Sequence, residues 1–204
     1  MFVKVCGLRT ADAVDAAVAS GADAVGFVFA PGSVRLIEAT DAAGLVDRVP
    51  DTVETVGVFR GQPLDEVFRL ARAAGVGTVQ LHGDEPDEHF TRLADAGFAT
   101  IRAISAARYT AALEASDGHG WPERLLIDAT VPGSGSSFDP ADLPAPPSGF
   151  WLLAGGLRPH NVAELITRFH PSGVDVSSGV ETSPGVKDPG LIHAFVAAAR
   201  SRTV

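Results

Sequence analysis

Short β-rich runs alternate with amphipathic helical stretches along the whole chain, and this alternation restricts the fold more than any other feature. The runs are VKVC (3–6), AVGFVF (24–29), ETVGVF (54–59), TVQLH (78–82), TIRAI (100–104), RLLIDA (124–129), FWLLA (150–154) and VDVS (174–177). Several are apolar almost without interruption. A strand with one wet face would alternate with period two, so these runs predict parallel strands covered on both faces. Between them lie stripes of period 3.6: Leu64, Val67, Phe68 and Ala71; Val162, Leu165, Ile166 and Phe169; Leu191, Ile192, Phe195 and Val196. Pro63, Pro86, Pro159 and Pro189 stand where a first helical residue is expected, since that position needs no N–H partner. Gly21, Gly75 and Gly97 precede the next strand, as left-handed helix-ending glycines do.

Eight such strands with seven or eight helices predict an α/β protein built as a single (β/α)8 TIM barrel over residues 1–204. A doubly wound open sheet has the same alternation and is the alternative. Residues 130–149, rich in Pro, Gly and Ser, predict a long active-site loop with at most one short helical turn. No stretch has the character of an interdomain linker.

Hydrophobic residues make up 46% of the chain, enough for a real core. The formal net charge of −9 argues against a nucleic-acid partner. It does not argue against a phosphate ligand, which backbone N–H groups and helix N-termini can hold. Cys6 is the one cysteine, so neither an internal disulfide nor a cysteine-built metal site is expected. The six histidines show no metal-ligand spacing. MFVKVCGLRT lacks a secretory hydrophobic region, and the longest apolar run, around 24–30, is too short to cross a bilayer. The expectation is a cytoplasmic protein without a membrane partner, as a monomer or homodimer.

In a barrel, the C-terminal ends of the strands face the active site. Their polar residues are few: Cys6, Arg35 in the second loop, Gln80, His82, Asp128, Asp175, Ser177 and Ser178. Cys6 reads either as a small buried hydrophobe or as a thiolate base or nucleophile. Asp128 follows three aliphatics, where an unpaired acid costs several kcal/mol. It is either paired structurally or aimed into a site, where an apolar rim raises a carboxyl pKa toward that of a general acid. Arg35 is either a solvated loop residue or a bidentate fork for a carboxylate. His82 and His160, near strand-to-helix loops, read by default as surface or core residues. LAGGLRPHNV (153–162) and DVSSGVE (175–181) are small-residue turns after the last two strands, where barrels commonly bind phosphate. GSGSSF (133–138) lacks the third glycine of a dinucleotide fingerprint and carries no nucleotide inference.

Taken in order, KVCGL (4–8), GADAVGFVF (21–29), SVR (33–35), VGVF (56–59), VQLHGDE (79–85), LLIDA (125–129), GSGSSFD (133–139), LAGGLRPHNV (153–162) and GVDVSSGVETSPGVKD (173–188) resemble the phosphoribosylanthranilate isomerases of tryptophan biosynthesis. The resemblance implies an Amadori rearrangement of N-(5-phosphoribosyl)anthranilate to 1-(2-carboxyphenylamino)-1-deoxyribulose 5-phosphate, with neither a redox cofactor nor a metal. It implies Cys6 as general base, Asp128 as general acid and Arg35 as the ligand of the anthranilate carboxylate. The turns at Gly155–Gly156 and Ser178–Gly179 would bind phosphate, with His82 and Asp175 lining the pocket. Two positions depart from the family pattern: Val34 stands where proline is frequent, and Ser134 separates Gly133 from Gly135 where a Gly-Gly pair is frequent. A sister barrel isomerase of histidine biosynthesis runs the same rearrangement with carboxylates at both catalytic positions, which Cys6 argues against. A phosphate-binding barrel without catalysis is the other alternative, and would not need both an acid and a thiol at strand ends.

Overall fold

A computed structural model describes residues 1–115, 124–128, 143 and 146–201. Its strands are β1 (Phe2–Cys6), β2 (Ala24–Val28), β3 (Glu54–Phe59), β4 (Thr78–Leu81), β5 (Ala99–Ser105), β6 (Arg124–Asp128), β7 (Trp151–Ala154) and β8 (Gly173–Val176). They pair in parallel and in order, and β8 closes on β1, with Lys4 opposite Asp175. This closure decides for the barrel and against the open sheet. Around it lie α1 (Ala11–Ala19), α2 (Ala39–Val46), α3 (Leu64–Ala74), α4 (Asp87–Asp95), α5 (Ala106–Ala115), α6 (Val162–Phe169) and α7 (Pro189–Arg200). Among the described residues no helix joins β6 to β7. Most of the expected loop 130–149, with the GSGSSF stretch, lies outside them. No described helix is long and apolar enough to cross a membrane.

Each expected strand lies within two residues of its predicted ends. Their lack of alternation has a direct cause. Val3, Val5, Val25, Phe27, Leu125, Ile127 and Leu153 point outward into the layer between strands and helices. Ala24, Val28, Val56, Val58, Ile101, Leu126 and Leu152 point inward and fill the barrel. Both faces of a strand are therefore dry, and both sets are apolar.

The helix boundaries need one correction. Pro189 is the first residue of α7, as expected, but Pro63 and Pro86 each sit one residue before their helix, as its cap. Pro159 lies in a turn, and α6 starts at Val162. Asn161 is the reason: its Oδ1 accepts from the Arg158 amide at 2.7 Å and its Nδ2 donates to the Gly156 carbonyl at 3.1 Å. That closed turn delays the helix. Gly75 and Gly97 end α3 and α4 with φ of 71° and 89°, as left-handed helix ends require.

The N-terminal end of the barrel is plugged. Arg124 Nη1 and Nη2 bind Glu54 at 2.9 and 2.5 Å, and Thr78 donates to the same carboxylate. The Phe2 and Phe150 rings meet edge to face with centroids 5.5 Å apart. The C-terminal end is open. There β8 runs into a 3-10 turn (Ser178–Val180) and a hairpin, β9 (Glu181–Ser183) with β10 (Val186–Lys187), before α7.

Candidate active site

A cavity of about 500 Å3 opens at the C-terminal end of the barrel. Cys6, Arg35, Gln80, His82, Asp128, Asp175, Ser177 and Ser178 all line it, so the expected strand-end residues come together in one place.

Cys6 is the last residue of β1, inward-facing and 6% exposed. Its register partner on β2 is Gly26, where a Cβ would lie 2.8 Å from the sulfur. A glycine at 26 therefore makes the slot in which the thiol sits. Gly7 follows with φ of 78°, and a Cβ there would lie 2.6 Å from Cδ of Arg35. Its absence lets the arginine cross the end of β1. Burial pushes the Cys6 thiol pKa up; Lys4 and Lys187 pull against this, and Asp175 adds to it.

Lys4, two residues earlier on the same inward face, is fully buried. Its Nζ donates to Asp175 Oδ1 at 2.8 Å. Burial disfavours the ammonium, but Asp175 and Cys6 together outweigh burial and the lysine pKa is raised, so Lys4 is charged at neutral pH. Asp128 ends β6 on the far side of the mouth, its side chain 27% exposed. It is thus a rim acid and not an interior one. His82 Nε2 lies 3.8 Å from Asp128 Oδ2, beyond hydrogen-bond length. Burial lowers the His82 pKa despite Asp128, so the imidazole is neutral at neutral pH.

Arg35 does not present an empty fork. Its Nε and Nη2 bind both oxygens of Glu181 at 2.7 and 2.8 Å. Lys187 Nζ joins the same carboxylate at 2.6 Å and the Ser177 carbonyl at 2.9 Å. Burial pushes the Glu181 pKa up, but the bonds from Arg35 and Lys187 hold it down at about 2. Arg35 lines the cavity with this pair already formed.

Gly155 and Gly156 follow β7 with φ of 94° and 62°, a turn that favours glycine at both positions, and both line the cavity. Ser178 faces them from the loop after β8. Gly179 is buried beside the Leu157 backbone, where a Cβ would fall 1.7 Å from the carbonyl oxygen. A glycine there lets the turn after β8 pack directly on the turn after β7.

Sequence reading missed Lys4, Gly26, Arg60, Glu181 and Lys187. Period-two counting back from Cys6 along β1 was enough to find Lys4, and the same counting along β2 brings Gly26 inward. Arg60 lines the cavity directly after β3, one position beyond apolar Phe59. Glu181 had no local signal toward Arg35, because the pair joins residues 146 apart in sequence, and Lys187 enters the site only through that carboxylate and Ser177.

Comparison with known proteins bears on the same site. The family model described as N-(5'-phosphoribosyl)anthranilate (PRA) isomerase matches residues 3–198. The N-(5'-phosphoribosyl)anthranilate isomerase of Deinococcus radiodurans is 44% identical over 201 residues, covering 97% of this chain and 96% of its own. The crystal structure of TrpF from Jonesia denitrificans superposes with a TM-score of 0.86 at 45% identity, over 98% of this chain and 97% of that one. A phosphoribosyl anthranilate isomerase crystallised with reduced 1-(o-carboxyphenylamino)-1-deoxyribulose 5-phosphate superposes with a TM-score of 0.80 at 32% identity, covering 98% of each chain.

Proposed function

The chain belongs to the phosphoribosylanthranilate isomerase family, and from that premise we propose that Cys6 and Asp128 carry the reaction as base and acid. The protein is an isomerase of tryptophan biosynthesis, converting N-(5'-phosphoribosyl)anthranilate by an Amadori rearrangement. One observation supports the division of labour most: a thiol and a carboxyl end β1 and β6 and face one cavity from different sides of the barrel.

The chemistry assigns a task to each group. Opening the ribose ring requires a proton on the ring oxygen, and Asp128 on the rim can supply it. The resulting iminium acidifies the C2′ hydrogen. The Cys6 thiolate takes that proton, the C–H electron pair moves toward the iminium carbon, and an enolamine forms that tautomerises to the ketone. The turns at Gly155–Gly156 and Ser178–Gly179 are read as the phosphate site, a reading supported by their position after the last two strands and by Gly155, Gly156 and Ser178 lining the cavity. Gln80 is 2% exposed and its Oε1 has no hydrogen-bond partner among the described residues, so it is an acceptor suited to a substrate hydroxyl.

The direct test is the loss of fluorescence of freshly made phosphoribosylanthranilate on adding the purified protein. Growth without tryptophan should also be restored in bacteria lacking this isomerase. Bacteria lacking the histidine-pathway isomerase should not regain growth without histidine, because that substrate carries a second phosphate. A protein with no turnover would be a binder, and the reading would fall.

Arg35, clamped by Glu181, is assigned to the anthranilate carboxylate. That carboxylate is present in ground and transition states alike, so Arg35→Ala should raise KM more than it lowers kcat. Steady-state kinetics with an unchanged KM would remove Arg35 from the site.

A further inference from the structure

The barrel interior holds a cation that the acid–base scheme leaves without a task. Lys4 is fully buried among inward residues that are otherwise largely apolar, such as Ala24, Val56 and Leu126. A buried ion pair is weak evidence for stability, since apolar residues of similar volume often replace it without loss. Its position in the site explains it better. Lys4 and Cys6 are two residues apart on one strand face, about 7 Å between Cα atoms, so the ammonium lies inside the barrel on the side of the thiol. Asp175, its register partner on β8, anchors it at 2.8 Å.

We propose that Lys4 is a positioning residue for the base: its ammonium, anchored by Asp175, is the counter-charge against which the Cys6 thiolate forms. This rests on the reading of Cys6 as the base. The charged groups that bear on the thiol are Lys4 on β1, Asp175 on β8, Lys187 on β10 and Arg35 in the loop after β2. Glu54 on β3 and His82 after β4 bear on Lys4 from across the barrel. Of the three cations near the sulfur, Arg35 and Lys187 are both bonded to Glu181. Lys4 is the one that shares the interior with the thiol. Burial pushes the thiol toward its neutral form, and Lys4 opposes that push most strongly. When the thiolate takes the C2′ proton, a C–H bond breaks and an S–H bond forms. The Lys4–Asp175 pair remains neutral and intact, so no step strands the ammonium without an anion.

The test is the pH dependence of Cys6 alkylation by iodoacetamide, followed by intact mass on the full chain, where Cys6 is the only thiol. The wild-type protein is the reference, because Asp175→Asn alone would leave the buried ammonium unpaired. Lys4→Met and Lys4→Gln are each combined with Asp175→Asn, so that neither leaves a buried carboxylate unpaired. The alkylation midpoint in a folded double variant should lie at least about one pH unit above that of the wild type, a tenfold smaller thiolate fraction at lower pH. Coincident midpoints would overturn the proposal. Both double variants unfolding would also overturn it, by making the Lys4–Asp175 pair a fold element. The readout is thiol ionisation, not turnover. Active Cys6→Ser would therefore sink the reading of Cys6 as base without altering these midpoints, and the two failures are distinguishable.

Discussion

Replacing Cys6 with serine should lower kcat by at least ~10²-fold, about 3 kcal/mol of barrier. The slot opposite Gly26 is shaped for a sulfur, and a serine hydroxyl is smaller, so the variant fits without strain. Its failure is chemical: a hydroxyl is almost fully protonated at neutral pH, and the C2′ proton has no acceptor. Binding of a product analogue should change little, because the groups proposed to hold phosphate and carboxylate lie on other loops. Iodoacetamide should inactivate the wild-type enzyme, and bound product should protect it. Stopped or steady-state assays showing near-normal turnover in Cys6→Ser would refute the assignment.

Asp128→Asn should be of similar or greater effect, within the ~10²–10⁴-fold range of a positioned acid. Asparagine matches the size of aspartate but has no carboxyl proton to give. Asp128 stands on the rim of the cavity with its side chain part-exposed, so the protein should fold and bind product with little turnover. His82, 3.8 Å away and held neutral by burial, is a poor substitute acid near pH 7. Circular dichroism with product-analogue binding checks the fold, and the fluorescence assay checks the chemistry. An active Asp128→Asn enzyme would assign the proton to another group.

The barrel was legible because it needs two dry faces on every strand. Runs such as AVGFVF and RLLIDA show no polar alternation, and a sheet covered on both sides is what such runs require. That Cys6 and Asp128 share the cavity was legible for a related reason: a polar residue at the end of an apolar strand has few places to go. Lys4 was obscured by prior expectation, since a lysine near a chain terminus usually reaches water and this one reaches Asp175 across the β1–β8 seam. The Arg35–Glu181–Lys187 cluster was invisible because it forms only when the loop after β2 meets the hairpin after β8. The packing of Gly179 on the Leu157 carbonyl had no signal in the sequence, because the two residues belong to different loops.

Gly26 also limits how such an enzyme can diverge. Position 26 is already the smallest residue available, so no side-chain exchange there can make more room beside position 6. A lineage replacing the thiol with an acid would insert a larger group and a second anion next to Asp175. Strand spacing and interior charge would then have to change together. If Cys6 is the base, a single substitution at position 6 should cost activity, and the route to a carboxylate base should pass first through the charges at Lys4 on β1 and Asp175 on β8.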